Sequence, residues 1–306
     1  MSLFTLIIVF LLEQVSPLPY QRLIARPVQG LADLLAARFN AGAYRHGLAA
    51  WLLMVVPAVL LTLLVYILLF RISPLLALAF NVGVLYLTMG FRQFSHHYTE
   101  IQLALRLGDI DRARLLLNEW QGTPTSILGA SEISRRAIEQ ALADSHRHVF
   151  AVLLWFVILP GPCGAVLYRL SAILADHWKQ RGDEEDEFVR FAQQSFAIID
   201  WLPVRATAAA FAVVGDFEDA IYCWRNQAGL WPNPEMGIVL ASGAGALGVQ
   251  LGMPVYASGD PSDGSELGLG EPADVDFMQS AVGLVWRATV LWILLLFLLG
   301  LASLIS

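Results

Sequence analysis

Long apolar runs alternate with polar segments along this chain, and the length of each run decides what it can be. A helix crossing a bilayer needs about 20 mostly apolar residues. Leu48–Phe70 meets that requirement without a charge, and so does Ser280–Ser306, whose one charge, Arg287, sits near its start. Pro74–Phe91 is shorter but uncharged, and Ser73-Pro74 behind Arg71 marks a tight hairpin with the preceding span. Val149–Ala175 is long enough, yet Pro160-Gly161-Pro162 breaks it and Arg169 lies in its second half. Phe196–Gly215 is apolar except for Asp200 and Arg205, with Pro203 between them. Met1–Leu12 is too short to span alone and is stopped by Glu13, which makes it an interfacial or partly inserted segment. The pattern predicts an all-α, polytopic integral membrane protein with about five transmembrane spans, two of them broken.

The polar segments read differently. Within 92–148, Tyr98–Leu107 is closed by Gly108-Asp109, Asp111–Trp120 is ended by Gly122-Thr123-Pro124, and Ser131 is placed to cap a third helix, Glu132–His146. Glu132, Arg136 and Glu139 fall at i, i+4 and i+7 and share one face. That face is either solvated, with an i,i+4 ion pair worth about 0.2–0.5 kcal/mol, or turned toward a site at the membrane surface. The run Asp183-Glu184-Glu185-Asp186-Glu187 reads as a solvated loop. Residues 226–279 are rich in Gly, Pro, Ser and Asp. Inside them Leu240–Leu251 carries Gly243, Gly245 and Gly248 with no strand before the glycines, so close backbone packing explains the spacing better than nucleotide binding. The organisation expected is one membrane domain, 1–306, with a cytoplasmic helical insertion at 92–148 and a polar Gly/Pro-rich segment at 226–279.

Composition narrows the class. Of 306 residues, 57% are hydrophobic and 15% charged, against roughly 45–50% and about 25% in average globular chains. A soluble core could not hide that excess without large apolar patches, so a lipid bilayer is the expected partner and nucleic acid is not. Lys179 is the only lysine, so the other 18 of 19 basic residues are arginine. Arginines gather in 13–47 and in 92–148, which flank the Leu48–Phe91 hairpin, and the positive-inside rule places both segments in the cytoplasm. Cys163 and Cys223 are too few for a disulfide framework. His96, His97, His146 and His148 lie at the two ends of the 92–148 segment without supporting carboxylates at ligand spacing, so no metal site is expected. Neither G-x-x-x-x-G-K-[ST] nor G-x-S-x-G occurs. Residues 1–12 have no basic stretch before them and no small-residue cleavage site after them, so no cleavable leader is expected.

The charges left inside apolar runs are the costly ones, at about 2.5–3.5 kcal/mol each on insertion scales. Asp200, Arg205 and Arg169 qualify. Asp200 and Arg205 stand five positions apart across Pro203, and Pro160-Gly161-Pro162 is a second expected break. Two interrupted segments with nearby charges fit a polar cleft, and they fit equally a structural Asp–Arg pair tying helix halves together.

A string of motifs in one order then resembles a known family. Arg26-Pro27-Val28-Gln29-Gly30 is followed by Arg38-Phe39 and by Gly47 and Trp51. Next come Arg106-Leu107-Gly108-Asp109 with Arg112-Ala113-Arg114, and Glu132-Ile133-Ser134-Arg135-Arg136-Ala137-Ile138-Glu139. After these stand Trp155, Pro160-Gly161-Pro162, Gly164-Ala165 and Tyr168-Arg169, then Asp200-Trp201-Leu202-Pro203-Val204-Arg205, then Ala244-Gly245-Ala246-Leu247-Gly248-Val249-Gln250-Leu251-Gly252. The order is similar to that of the CobD/CbiB cobalamin-biosynthesis membrane proteins, and parts of it are similar to the related AmpE proteins of β-lactamase regulation.

The resemblance to CobD/CbiB implies an adenosylcobinamide-phosphate synthase. Such an enzyme forms an amide between adenosylcobyric acid and an aminopropanol-type amine at the expense of ATP. ATP with Mg would be its cofactors and a corrinoid its substrate. It implies catalytic roles for Asp200, Arg205, Glu132 and Glu139, and substrate binding by Arg136, Arg169, Arg26 and Asp216. The AmpE likeness implies instead a non-enzymatic membrane sensor. Departures from the enzyme pattern are polar: Gly122-Thr123-Pro124-Thr125, Ala143-Asp144-Ser145 and Ser171-Ala172-Ile173-Leu174-Ala175-Asp176 stand where the family carries other polar groups.

Overall fold

The computed structural model describes residues 2–15, 24–39, 44–122, 128–181, 186–252 and 267–305. Thus Arg22, Asp183-Glu184-Glu185, most of Gly122-Thr123-Pro124-Thr125 and the centre of the 226–279 segment lie outside the described residues. The helices in chain order are α1 (Ser2–Val15), α2 (Arg26–Phe39), α3 (Tyr44–Ile72), α4 (Pro74–Thr88), α5 (Phe91–Arg106), α6 (Ile110–Gln121) and α7 (Ala130–Ser145). A π-helical turn, His146–Phe150, leads directly from α7 into α8 (Ala151–Ile158). Then follow α9 (Cys163–Arg181), α10 (Glu187–Val214), α11 (Phe217–Gln227), α12 (Pro234–Leu247) and α13 (Val275–Ile305). The only strands among the described residues, β1 (Val249–Gln250) and β2 (Glu271–Pro272), form a two-residue parallel pair.

Among the described residues four helical stretches are long and apolar enough to cross a membrane: Tyr44–Ile72, Ala130–Ile158, Glu187–Val214 and Val275–Ala302. The expected span at Pro74–Phe91 stops at Thr88, because Met89 takes an extended conformation with its N–H on the Leu85 carbonyl. Its 15 residues rise about 22 Å against a hydrocarbon core of about 30 Å. The break expected at Pro160-Gly161-Pro162 is present, with α8 ending at Ile158 and α9 beginning at Cys163. The apolar stretch begins earlier, in α7, and ends at Ile158. The chain then reverses, since a Cβ on Gly164 would lie 2.0 Å from the Trp155 carbonyl oxygen.

Contacts divide the chain into two compact units, Met1–Gly90 with Ala151–Pro203, and Phe91–Phe150 with Val204–Ser306. In the first, α2, α3, α9 and the start of α10 share a core of Ala32, Ala50, Val55, Leu174, Trp178, Phe188, Val189 and Ala192. Gly47 is what lets α3 approach there, because a Cβ would meet the Phe188 carbonyl oxygen at 2.7 Å.

The break expected at Pro203 is absent, and α10 runs through it from Glu187 to Val214. Proline has no N–H and deprives the carbonyl four residues back of its partner. That carbonyl belongs to Ile199, and the Trp155 indole donates to it at 3.1 Å. The helix therefore continues with no acceptor orphaned. Trp155→Phe keeps an aromatic group but loses the indole donor and part of its bulk, so it is expected to destabilise the protein by about 1–3 kcal/mol. Thermal unfolding in detergent measures the loss.

In the second unit the expected helices Tyr98–Leu107, Asp111–Trp120 and Glu132–His146 correspond to α5, α6 and α7, each within a few residues except at the start of α5. Gly129 rather than Ser131 caps α7; the Ser131 hydroxyl donates to the Ala273 carbonyl at 2.7 Å. Tyr98 Oη donates to the Met278 carbonyl at 2.7 Å and Gln102 Nε2 to Gln279 Oε1 at 3.2 Å, joining α5 to α13. Burial pushes the Tyr98 phenol well above its ordinary pKa. The glycine-rich helix packs as its composition predicts: Gly245 faces the Asp219 carbonyl of α11, Gly243 faces Leu142 of α7, and Gly248 is the left-handed C-cap.

Candidate functional site

Most of the charged residues expected at a site fall into two groups, one in each unit. In the first unit Asp200, 4% exposed, accepts a hydrogen bond on Oδ1 from Tyr168 Oη at 2.9 Å, and Tyr168 is itself fully buried. Tyr168 also packs against Phe196, with ring centroids 5.6 Å apart. Arg169, the next residue of α9, is 5% exposed. A carboxylate at that burial needs donors, and the tyrosine is one the sequence pattern did not single out. Arg26 stands apart from this group, exposed at the start of α2.

In the second unit α7 carries Glu132, Arg135, Arg136 and Glu139. Among the described residues no ion pair joins Glu132 to Arg136. Glu132 Oε2 instead accepts from the Gly129 N–H at 3.0 Å, closing the first turn of its own helix. Glu139 Oε1 accepts from the Gly252 N–H at 2.7 Å, and the charges of Arg135 and Arg136 both act on it. Arg135 is the buried arginine here, and Arg136 is half-buried. The Arg136 carbonyl takes a bond from Gln121 Nε2 at 3.3 Å.

The C-terminal part of α10 is fixed by two further bonds. His146 Nδ1 meets Thr207 Oγ1 at 2.9 Å, and Ser242 Oγ donates to the Ala208 carbonyl at 2.8 Å. Arg205 lies half-buried on this stretch. Asp216 is exposed and caps α11, its Oδ1 accepting from the Asp219 N–H at 3.1 Å while its own N–H bonds the Ala246 carbonyl.

The four histidines do not share one ligand cluster, although His97 stacks on Trp120, whose indole donates to the Asp144 carboxylate that lies 3.9 Å from His148 Nδ1. His96 pairs with Glu100, His146 is buried on Thr207, and His148 bonds the Asp144 carbonyl. Among the described residues no three His, Cys, Asp or Glu side chains could hold a metal ion.

The Glu139 bond gives a direct test of role. Glu139→Gln keeps an acceptor for the Gly252 N–H, whereas Glu139→Ala removes it. A tether predicts near wild-type function and stability for Gln, with a loss of about 1–3 kcal/mol for Ala. A proton-transferring acid predicts that Gln fails as badly as Ala. Side-by-side melting and activity of the two variants separates the roles.

An all-α chain with four bilayer-length helices and charged side chains buried among them is a helical membrane protein. Within that class, the family described as CobD/Cbib protein matches residues 6–285, and the chain belongs to it. It is 36% identical over 270 residues to the cobalamin biosynthesis protein CobD of Stutzerimonas stutzeri, covering 87% of each chain. To the protein of the same name from Chromobacterium violaceum it is 35% identical over 219 residues, 72% of this chain and 70% of the relative. The cobalamin biosynthesis protein CbiB of Salmonella typhimurium is 24% identical over 233 residues, 74% of this chain and 72% of the relative. No solved structure matches the chain.

Proposed function

We propose that this chain is an adenosylcobinamide-phosphate synthase of the bacterial inner membrane. It would join the amine of an aminopropanol-type substrate to a carboxylate of adenosylcobyric acid in an ATP-dependent step. The observation that carries the reading is likeness to proteins named for cobalamin biosynthesis over nearly the whole chain, including 87% of both partners in one case. The motifs around Gly-Asp at 108–109, Pro-Gly-Pro at 160–162 and the glycine helix all fall inside the matched region.

The chemistry sets what the side chains have to do. A carboxylate loses an oxygen to make an amide, and ATP supplies the phosphoryl group that carries the oxygen away. Negative charge builds on carboxyl and phosphoryl oxygens, so fixed cations stabilise the transition state more than the ground state. Arg205 and Arg136 in the second unit are half-buried cations of that kind, and Arg169 in the first is a buried one. Asp200, Glu132 and Glu139 are the acids available for proton handling. Asp216 is exposed, which suits a contact with a substrate's periphery, whereas Arg26 lies exposed at the start of α2, away from these groups.

Expression in a strain lacking its own CobD or CbiB protein tests the reading. Restored growth that depends on corrinoid made de novo is the expected result. No rescue, with the chain present in the membrane fraction, contradicts it.

A further inference from the structure

Helix α2 has three distinct sides, and one of them is exposed with no partner among the described residues. The inner side is core: Ala32 is fully buried, Leu35, Ala36 and Phe39 pack against the cluster around it, and Trp178 Nε1 donates to the Ala32 carbonyl at 3.3 Å. The second side holds the helix's only acid. Asp33 Oδ1 accepts from His177 Nε2 at 2.7 Å and forms an ion pair with Arg181. Partial burial works against that carboxylate, but the His177 bond and the His177 and Arg181 charges hold it below its ordinary range. The outer side is the stripe Arg26, Gly30, Leu31, Leu34, Ala37 and Arg38, all exposed, with Leu31 at 56% and Leu34 at 68%.

The outer stripe is apolar in its middle, cationic at both ends, and free of acid in a chain whose net charge is −7. Its level is fixed by neighbours. Around α2 the other helices of its unit have their polar ends: Tyr44 opens α3 with its N–H on Glu187 Oε2 at 3.2 Å, Glu187 opens α10, and Lys179 and Arg181 close α9. The exposed apolar flank of α3 begins one turn further on, at Leu48, and continues through Leu52 and Leu53. Helix α2 packs on α3 through its inner side, so the stripe stands at the level where the exposed apolar flank of α3 begins. Two leucines between flanking arginines suit a helix lying in the plane of a headgroup layer. The arginines suit lipids that carry negative charge.

We propose that α2 is an interfacial helix whose Leu31–Leu34 stripe docks on the headgroup layer of an anionic phospholipid bilayer, with Arg26 and Arg38 on the lipid phosphates. This rests on the chain being embedded in a bilayer through α3. The neutralised Asp33 is part of the design, since it orients the helix while keeping negative charge off the lipid side.

The test uses the full chain in phosphatidylglycerol vesicles, with a fluorescent thiol label at Leu34→Cys, Lys179→Cys or Leu60→Cys. Native Cys163 and Cys223 are buried and unlabelled in the folded protein. Lipid-borne and aqueous iodide quenchers are compared. The Leu34 label is expected to be quenched several-fold more by the lipid-borne quencher than the Lys179 label, and less by iodide. Moving to phosphatidylcholine vesicles, or adding Arg26→Gln with Arg38→Gln, is expected to shift it several-fold toward iodide. Iodide quenching equal to that at Lys179 overturns the proposal. So does protection from both quenchers with crosslinking between chains, which would make the occupant a second copy. Leu60, 58% exposed in mid-α3, separates the failures. If Leu60 is lipid-quenched and Leu34 is not, only the α2 assignment falls; if Leu60 is quenched by iodide, the bilayer reading falls with it.

Discussion

Arg205→Ala is expected to lower amide formation by about 10²–10³-fold, the cost of removing one fixed charge from a developing oxyanion, while the folded protein recovered from membranes stays near wild type. The side chain is half-buried on a stretch of α10 that His146 on Thr207 and Ser242 on the Ala208 carbonyl also hold. Arg205→Lys keeps the charge but not the planar fork, so partial activity is the expected result. Assays normalised to folded protein, measured by size-exclusion fluorescence, separate catalysis from folding. If Arg205→Ala simply fails to fold, the residue is structural and the catalytic assignment is lost.

The second large effect is expected at Gly245, and it falls on stability. A Cβ there would lie 2.4 Å from the Asp219 carbonyl oxygen and 2.8 Å from the Ala220 Cα, both backbone atoms of α11. Nothing flexible can yield, so Gly245→Ala must spread α12 from α11, costing about 1–3 kcal/mol, and Gly245→Leu is expected to prevent the second unit from forming. Gly283 in α13 is the control. Nothing lies within 4 Å of a Cβ there, so alanine gains about 1 kcal/mol of helix propensity. Melting temperatures of the variants in one detergent should fall for Gly245→Ala and hold or rise for Gly283→Ala. Equal melting of both would show that the helices do not pack as described.

A smaller effect should follow pH. Asp33 has a folded pKa held below its ordinary value. Its contribution is therefore full above the ordinary carboxylate pKa and is lost as pH falls through the lower folded one. Asp33→Asn should remove that part of the acid-side decline in stability, which melting curves taken down from neutral pH would register.

The sequence pattern reached the helices but not every boundary. Apolar runs and breakers located α3, α5, α6, α7 and α13 because each has its signal within itself: a span length, an Asp109 cap, a Gly122 stop. Pro74–Phe91 was overlong because the Met89 turn leaves no mark in hydropathy. The reading of Pro203 as a break failed for a reason outside its own helix. The indole that relieves it comes from Trp155, 48 positions away, and nothing near Pro203 announces it. The same limit applies to the site. Periodicity put Glu132 and Glu139 on one face of α7, yet what each bonds, Gly129 and Gly252, depends on backbone brought in by the fold. Tyr168, the donor to Asp200, was visible only as part of a motif. By contrast the packing role of Gly243 and Gly245 was legible, because a small-residue stripe without a preceding strand has few other uses.

Amide-bond formation is the activity proposed for this chain. The most direct measurement is product formation by membranes carrying the chain, supplied with adenosylcobyric acid, aminopropanol phosphate, ATP and magnesium, and followed by mass spectrometry. The predicted result is the amide product at levels well above empty-vector membranes, absent without ATP and abolished in Arg205→Ala membranes that hold equal folded protein. No product above the empty-vector control, from membranes shown to contain the folded chain, would contradict it.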